Sequence, residues 1–313
     1  MTAGSPQPDP LAPVTELPGV RDAVERARSA CEELRWHEAF RRRAREVRAE
    51  AGLQTARHSA AVDGARLTSA RVRALATTPP NAPDARTDAH PGGRHEQRDD
   101  AGHRTEQTTA PADELVAHGA VRAAALVDSL APELGARSAP QLPPFGQLLA
   151  RLHAAVGADW LPPAELGRPR TADGPLDLRG LGPAPTPDEV GARLALLADV
   201  VARTDAPALV VAAVVHGELL ALRPFRAGNG IVARAAARLL VTSRGLDPTG
   251  SVVPEAAWSP NPHVYVAAAA RFATGEPEGV AGWVAGCADA LVTGAARARV
   301  IADAVLAGRL PAD

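Results

Sequence analysis

A nearly continuous apolar stretch, Leu209-Val-Val-Ala-Ala-Val-Val-His-Gly-Glu-Leu-Leu-Ala-Leu222, constrains the fold of this chain more than any other feature. It is followed by Arg223-Pro-Phe-Arg-Ala-Gly-Asn-Gly-Ile-Val-Ala-Arg234 and by the helix formers Ala235-Ala-Ala-Arg-Leu-Leu-Val241. A helix that is apolar all round belongs at the centre of a fold. The pattern therefore reads as central helix, glycine-rich turn, second helix. Gly228 and Gly230 are free to adopt backbone angles that other residues avoid, which lets successive N–H groups point into one concavity. The second helix then starts with unpaired N–H groups and a positive dipole end, a combination that suits a phosphate.

Hydrophobic residues make up 46% of the 313, but aromatics only 3%, so the expected core is built from Ala, Val and Leu. All 34 basic side chains are arginines, and the formal net charge is −2. That balance excludes a general attraction to nucleic acid or anionic membrane. The two cysteines, Cys31 and Cys287, have no metal-ligand or C-x-x-C spacing and read as packed, reduced thiols. No run reads as the ~20 apolar residues of a membrane span, and no basic-then-apolar leader opens the chain. The expectation is a cytoplasmic protein.

Residues 1–19 are rich in proline and read as a disordered tail. Residues 20–76 have helical spacing, with Val24, Ala27, Cys31, Leu34 and Ala39 in register. Residues 77–112 read as a disordered linker, since they contain few large apolar side chains to bury. His90, His95 and His103 fall inside it without metal-ligand spacing. The main domain is expected over 113–310, with helices near Leu115–Leu130 and Pro143–Val156. Thr186-Pro-Asp-Glu189 has the marks of a helix start: an N-cap, proline at the first position and acids in the first turn. Between these, 166–180 carries Gly, Pro and Asp-Gly breaks that bracket short segments.

The glycine-rich segment resembles the signature of Fic (Fido-fold) proteins, H-P-F-x-[DE]-G-N-G-R-x-x-R. Pro224, Phe225, Gly228, Asn229, Gly230 and Arg234 match, six of nine specified positions. The resemblance implies a mostly α fold, a Fido-type helical bundle, with a small β-hairpin flap over 166–180 that would clamp a protein target by strand addition. It implies that His216 and Phe225 hold the loop, and that His153 packs. Active Fic enzymes commonly move AMP from ATP to a protein hydroxyl. Arg223 stands where the family keeps its catalytic His, and a guanidinium is no base. Ala227 replaces the acid that holds magnesium and offers no oxygen to a hard cation. Ile231 replaces the first arginine. What is left is an anion seat made by Arg223, Gly228, Asn229, Gly230 and Arg234, with ATP or another nucleotide as its expected occupant and weak support for magnesium.

A second stretch, His58-Ser-Ala-Ala-Val-Asp-Gly-Ala-Arg-Leu-Thr68, resembles the family's inhibitory helix, [ST]-x-x-x-[EQD]-[GN], through Ser59, Asp63 and Gly64. The resemblance implies that Asp63 faces Arg234. Ser59 and Asp63 also share a helical face by spacing alone. Three functions remain open at this point. The first is a degenerate Fic protein that binds a nucleotide or partner. The second is an active adenylyltransferase restrained by its N-terminal helix. The third is a purely structural interaction protein.

Overall fold

The computed structural model describes residues 8–77, 112–132, 134–135, 141–171 and 174–309. Of the stretch read as a linker, only Thr77 and Ala112 fall within these bounds, and His90, His95 and His103 lie outside them.

The apolar run forms helix α9 of thirteen among the described residues, and the order is best given around it. The N-terminal part supplies α1 (Ala12–Thr15), α2 (Val20–Arg35), α3 (Ala39–Arg42), α4 (Ala44–Val62) and α5 (Ser69–Thr77). The central part supplies α6 (Ala112–Leu130), α7 (Phe145–Gly157), α8 (Pro187–Arg203), α9 (Ala208–Leu222) and α10 (Asn229–Ser243). The chain closes with α11 (Glu255–Trp258), α12 (Pro262–Ala273) and α13 (Pro277–Leu306). α9 packs against α2, α8, α10, α12 and α13, which is why it needs no polar face. α10 packs on α9, α6, α7 and α4.

Local chemistry explains several ends. α8 begins with a full capping box: the Glu189 N–H donates to Thr186 Oγ1 (3.4 Å), and the Thr186 N–H donates to Glu189 Oε2 (2.7 Å). α4 ends in a Schellman turn, in which the Ala65 N–H donates to Ala60 O and the Gly64 N–H to Ala61 O. Gly64 carries the positive φ of 100° that this turn requires.

Three expectations need correction. Residues 8–19 are not a disordered tail. Leu11 is buried, and Asp9 accepts hydrogen bonds from Thr204 Oγ1 (2.8 Å) and the Asp205 N–H (2.6 Å), which fix this segment to the end of α8. Residues 1–7 lie outside the described residues. The flap contains no strand among its described residues. It is irregular apart from a 3₁₀ turn at Arg179–Leu181. Leu178, with φ of 53°, leaves the extended region there, and Pro169 and Pro175 have no N–H to give to a ladder. Its backbone bonds go elsewhere: the Arg170 N–H donates to Pro224 O (2.8 Å) and the Leu176 N–H to Arg226 O (2.7 Å). Finally, α13 is long and apolar enough to cross a bilayer. Its buried face, including Trp283, Val284, Leu291, Ala298 and Ile301, packs on α2, α9 and α12, as a core helix does.

Candidate functional site at the start of helix α10

The turn between α9 and α10 is held from below by α7. His153 of α7 stacks on Phe225, with ring centroids 3.9 Å apart and planes 4° apart. The Gly167 N–H donates to His153 Nδ1 (2.9 Å), so Nε2 carries the proton and donates to Ala227 O (3.1 Å). Burial pushes the His153 pKa down to about 4 and keeps the ring neutral for this double role. Asn229 ties the turn to itself, since its Oδ1 accepts from the Phe225 N–H (2.8 Å) and its Nδ2 donates to Phe225 O (2.9 Å). Gly228 caps α10 with a φ of 79°, and a Cβ there would come within 2.9 Å of Val156 Cγ1.

The start of α10 is occupied by a carboxylate of the protein itself. Asp177, in the segment just before the 3₁₀ turn, accepts the Asn229 backbone N–H at 2.8 Å and Asn229 Nδ2 at 2.7 Å. A carboxylate on the first turn of a helix is favoured by the exposed N–H groups and the dipole. Burial nevertheless dominates and raises the Asp177 pKa to about 6. The Asn229 bonds oppose that rise, and neighbouring Asp63 adds to it.

Asp63 arrives from the other side. Its Oδ1 lies 2.9 Å from Arg234 Nη2, the contact that the motif resemblance implied. Its two carboxylate oxygens come within 2.7 and 2.9 Å of the position a Cβ on Gly230 would take, so only glycine admits this approach. Arg234 is buried and also donates through Nε to Ser59 Oγ (2.8 Å) and through Nη2 to Ser59 O (3.0 Å). Burial works against its charge, but Asp63 and Tyr265 outweigh that and hold the guanidinium protonated. His216 lies behind this group and is buried, with Nε2 at 2.7 Å from the Tyr265 hydroxyl. Burial pushes its pKa down to about 3. Trp258, Tyr265 and Trp283 surround its ring.

Arg223 turns its guanidinium to backbone carbonyls of the cover segment and still interacts electrostatically with Asp177. It caps α9 in the left-handed region with φ of 44°. Its guanidinium donates to the backbone carbonyls of Leu178 (3.3 Å), Gly182 (3.0 Å) and Pro183 (2.9 Å). Arg170 completes this clasp, donating from Nε to Arg223 O (3.0 Å) and from Nη2 to Pro185 O. The residue at the catalytic position thus pins the cover segment over the turn. Ile231 is 3% exposed and packs into the hydrophobic core. Ala227 supplies no oxygen side chain, and among the described residues no group of three His, Cys, Asp or Glu is placed to hold a metal ion.

Sequence reading missed Asp177, Arg170 and Tyr265 as parts of the site. Asp177 carries no local motif, and its partner Asn229 is 52 residues away.

An all-helical protein with a glycine-rich turn between two core helices, sealed by a cover segment and by the end of an N-terminal helix, is the class defined by this geometry. Residues 146–241 match the model of the Fic/DOC family, and this stretch of the chain is of Fic type. Among solved structures, the chain resembles a Fic family protein from Desulfovibrio desulfuricans G20 at 19% identity, covering 93% of this chain and 76% of that one, with a TM-score of 0.63. It resembles Fic-1 (residues 134–508) from C. elegans at 18% identity, covering 89% and 71%, with a TM-score of 0.60. A Fic domain containing signaling protein from Bacteroides thetaiotaomicron VPI-5482 matches at 13% identity over 90% and 98%, with a TM-score of 0.57. At these identities the likeness is one of fold. No curated protein sequence matches the chain.

Proposed function

We propose that this is a Fic-domain protein that does not transfer AMP and serves as a binding protein, with its phosphate seat held by its own carboxylates. The observation that carries this reading is the pair of hydrogen bonds from Asn229 to Asp177, at 2.8 and 2.7 Å, where a phosphate oxygen would have to sit. Two further features support it. Arg223 has no lone pair with which to take a proton from a hydroxyl, and a missing general base alone lowers a rate by about 10²- to 10⁴-fold. Ala227 leaves the metal without its anchor. In this reading a nucleotide such as ATP meets the seat only after Asp177 leaves it, and a protein partner would be met by the cover segment. The test is incubation of the purified chain with α-labelled ATP and either magnesium or manganese, alone and with cell lysate. No transfer to itself or to any other protein is expected. Labelling that vanishes in Asn229→Ala would overturn the proposal in favour of an active adenylyltransferase.

A further inference from the structure

The core of this chain is rich in alanine, and where α4, α6, α10 and α11 meet it leaves a cavity of about 10 Å³. Ala123 of α6 and Ala235 of α10, whose side chains end at Cβ, form part of the wall. Three other wall residues are polar and buried: Thr55 of α4 (6% exposed), Arg238 of α10 (5%) and Glu255 of α11 (1%). Each has a buried atom with no hydrogen-bond partner among the described residues. These atoms are Thr55 Oγ1, Glu255 Oε2, and both Nε and Nη1 of Arg238. The third nitrogen of Arg238, Nη2, is committed, donating to Gly250 O (2.8 Å) and to Asp128 Oδ1 (3.2 Å). Ser59, one turn on from Thr55, lines the same cavity. Its hydroxyl accepts from Arg234 Nε (2.8 Å) and keeps its own proton to donate.

We propose that this cavity is a binding site for one structural water molecule, which bridges Thr55, Arg238 and Glu255 and so ties α4 to α10 and α11.

A buried donor or acceptor without a partner costs the folded state its full desolvation, so several such atoms in one wall point to a partner that they share. The chemistry of the wall selects that partner. Arg238 offers only donors, Glu255 offers a carboxyl oxygen, and the Thr55 hydroxyl gives or takes. An inorganic anion would meet the carboxyl group of Glu255, and a cation would meet the guanidinium of Arg238. Water both accepts and donates, and a space of about 10 Å³ is close to the least that one molecule needs. Arg238 also reaches a second cavity, of about 30 Å³, beside Leu209, Cys287 and Leu291. The water is assigned to the first because Thr55 and Glu255 line that cavity and not the second. The helix that carries Ser59 and Asp63 is then joined to α10 twice, directly through Arg234 and through solvent at Arg238. This holds whether or not the chain transfers AMP.

A high-resolution crystal structure of the full chain tests the site, together with Thr55→Val, which nearly keeps the side chain's shape and removes its hydroxyl. One ordered water is expected at hydrogen-bond distance, about 2.7–3.2 Å, from an Arg238 nitrogen and from Glu255 Oε2 or Thr55 Oγ1. Denaturant unfolding of the variant should show a folding equilibrium constant lowered about two- to tenfold, because the hydroxyl gives up a satisfied bond. The sign of this change separates the cases, since a hydroxyl in a dry wall is an unsatisfied polar group whose removal raises stability. A dry cavity, Arg238 in direct contact with Glu255, or Thr55 Oγ1 turned onto a backbone carbonyl in the crystal would overturn the proposal. So would Thr55→Val at or above the stability of the wild type.

Discussion

Arg234 and Ser59 are 175 residues apart in the chain and joined by two hydrogen bonds, one to the hydroxyl at 2.8 Å and one to the carbonyl at 3.0 Å. With Asp63 four residues further on, the end of α4 meets the first turns of α10 through a single buried guanidinium. That joint adds a polar link to the packing of α2 on α13 and of α4 on α6.

Removing the guanidinium should therefore be costly. Arg234→Leu strands the Asp63 charge and the Ser59 carbonyl, and breaking one partner of a buried pair costs about 3–5 kcal/mol. Ser59→Ala removes one hydrogen bond to a charged group, about 1.5–3 kcal/mol. Denaturant unfolding of both variants measures this. A loss under about 1 kcal/mol for Arg234→Leu would show that the guanidinium contributes little to the folded state.

Restoring the family's motif in full should not restore activity. Ile231 packs inside the protein, so Ile231→Arg buries an unpaired charge, and the variant should unfold or fail to express. Arg223→His with Ala227→Asp avoids that cost but leaves Asp177 on the Asn229 amide. The double variant should stay silent in self-labelling with ATP and magnesium. Adding Asp177→Ala to the pair should raise labelling above that of the double variant. Equal labelling in the two would show that Asp177 is no obstacle.

Acid should unfold the protein partly through two buried imidazoles. The pKa values of His153 and His216 are pushed down by burial, to about 4 and about 3. An unfolded histidine takes its proton near pH 6.5, so the unfolded state binds more protons below that value, and stability falls as pH drops from about 6.5 towards 4. His153 alone accounts for about 3 kcal/mol over this window. The melting temperature of the wild type should drop through it, and His153→Gln should flatten the slope. An equal slope in that variant would exclude the imidazole as a source.

Tyr265→Phe isolates one polar contact, because the ring stack with Trp258 and Trp283 survives. The lost hydroxyl leaves His216 Nε2 and one Arg234 donor without that partner, which should cost about 1–3 kcal/mol. Thermal unfolding should register the loss with no change in the hydrogen exchange of 174–183. A loss below about 0.5 kcal/mol would show that the hydroxyl contributes no such bond.

The parts legible in advance were those written locally. The Thr186 capping box, the Gly64 helix stop and the apolar circumference of α9 each lie within a few residues of what they determine. The Asp63–Arg234 contact was legible only through its likeness to a known motif. Residues 8–19 were misread because proline content says nothing of Asp9 reaching Thr204 and Asp205. The cover segment was misread as a hairpin because turn signals do not reveal that its N–H groups bond to the 223–226 loop.

The helical segments, the glycine-rich turn and the presence of Arg223 and Ala227 at its start were all present in the amino-acid sequence, because propensity, periodicity and side-chain chemistry need no partner. That Arg223 clasps the carbonyls of Leu178, Gly182 and Pro183, and that Asp177 accepts the Asn229 N–H, was decided only in three dimensions. Both depend on long-range contacts between a segment with no preferred structure of its own and a helix start whose open N–H groups any nearby acceptor can satisfy.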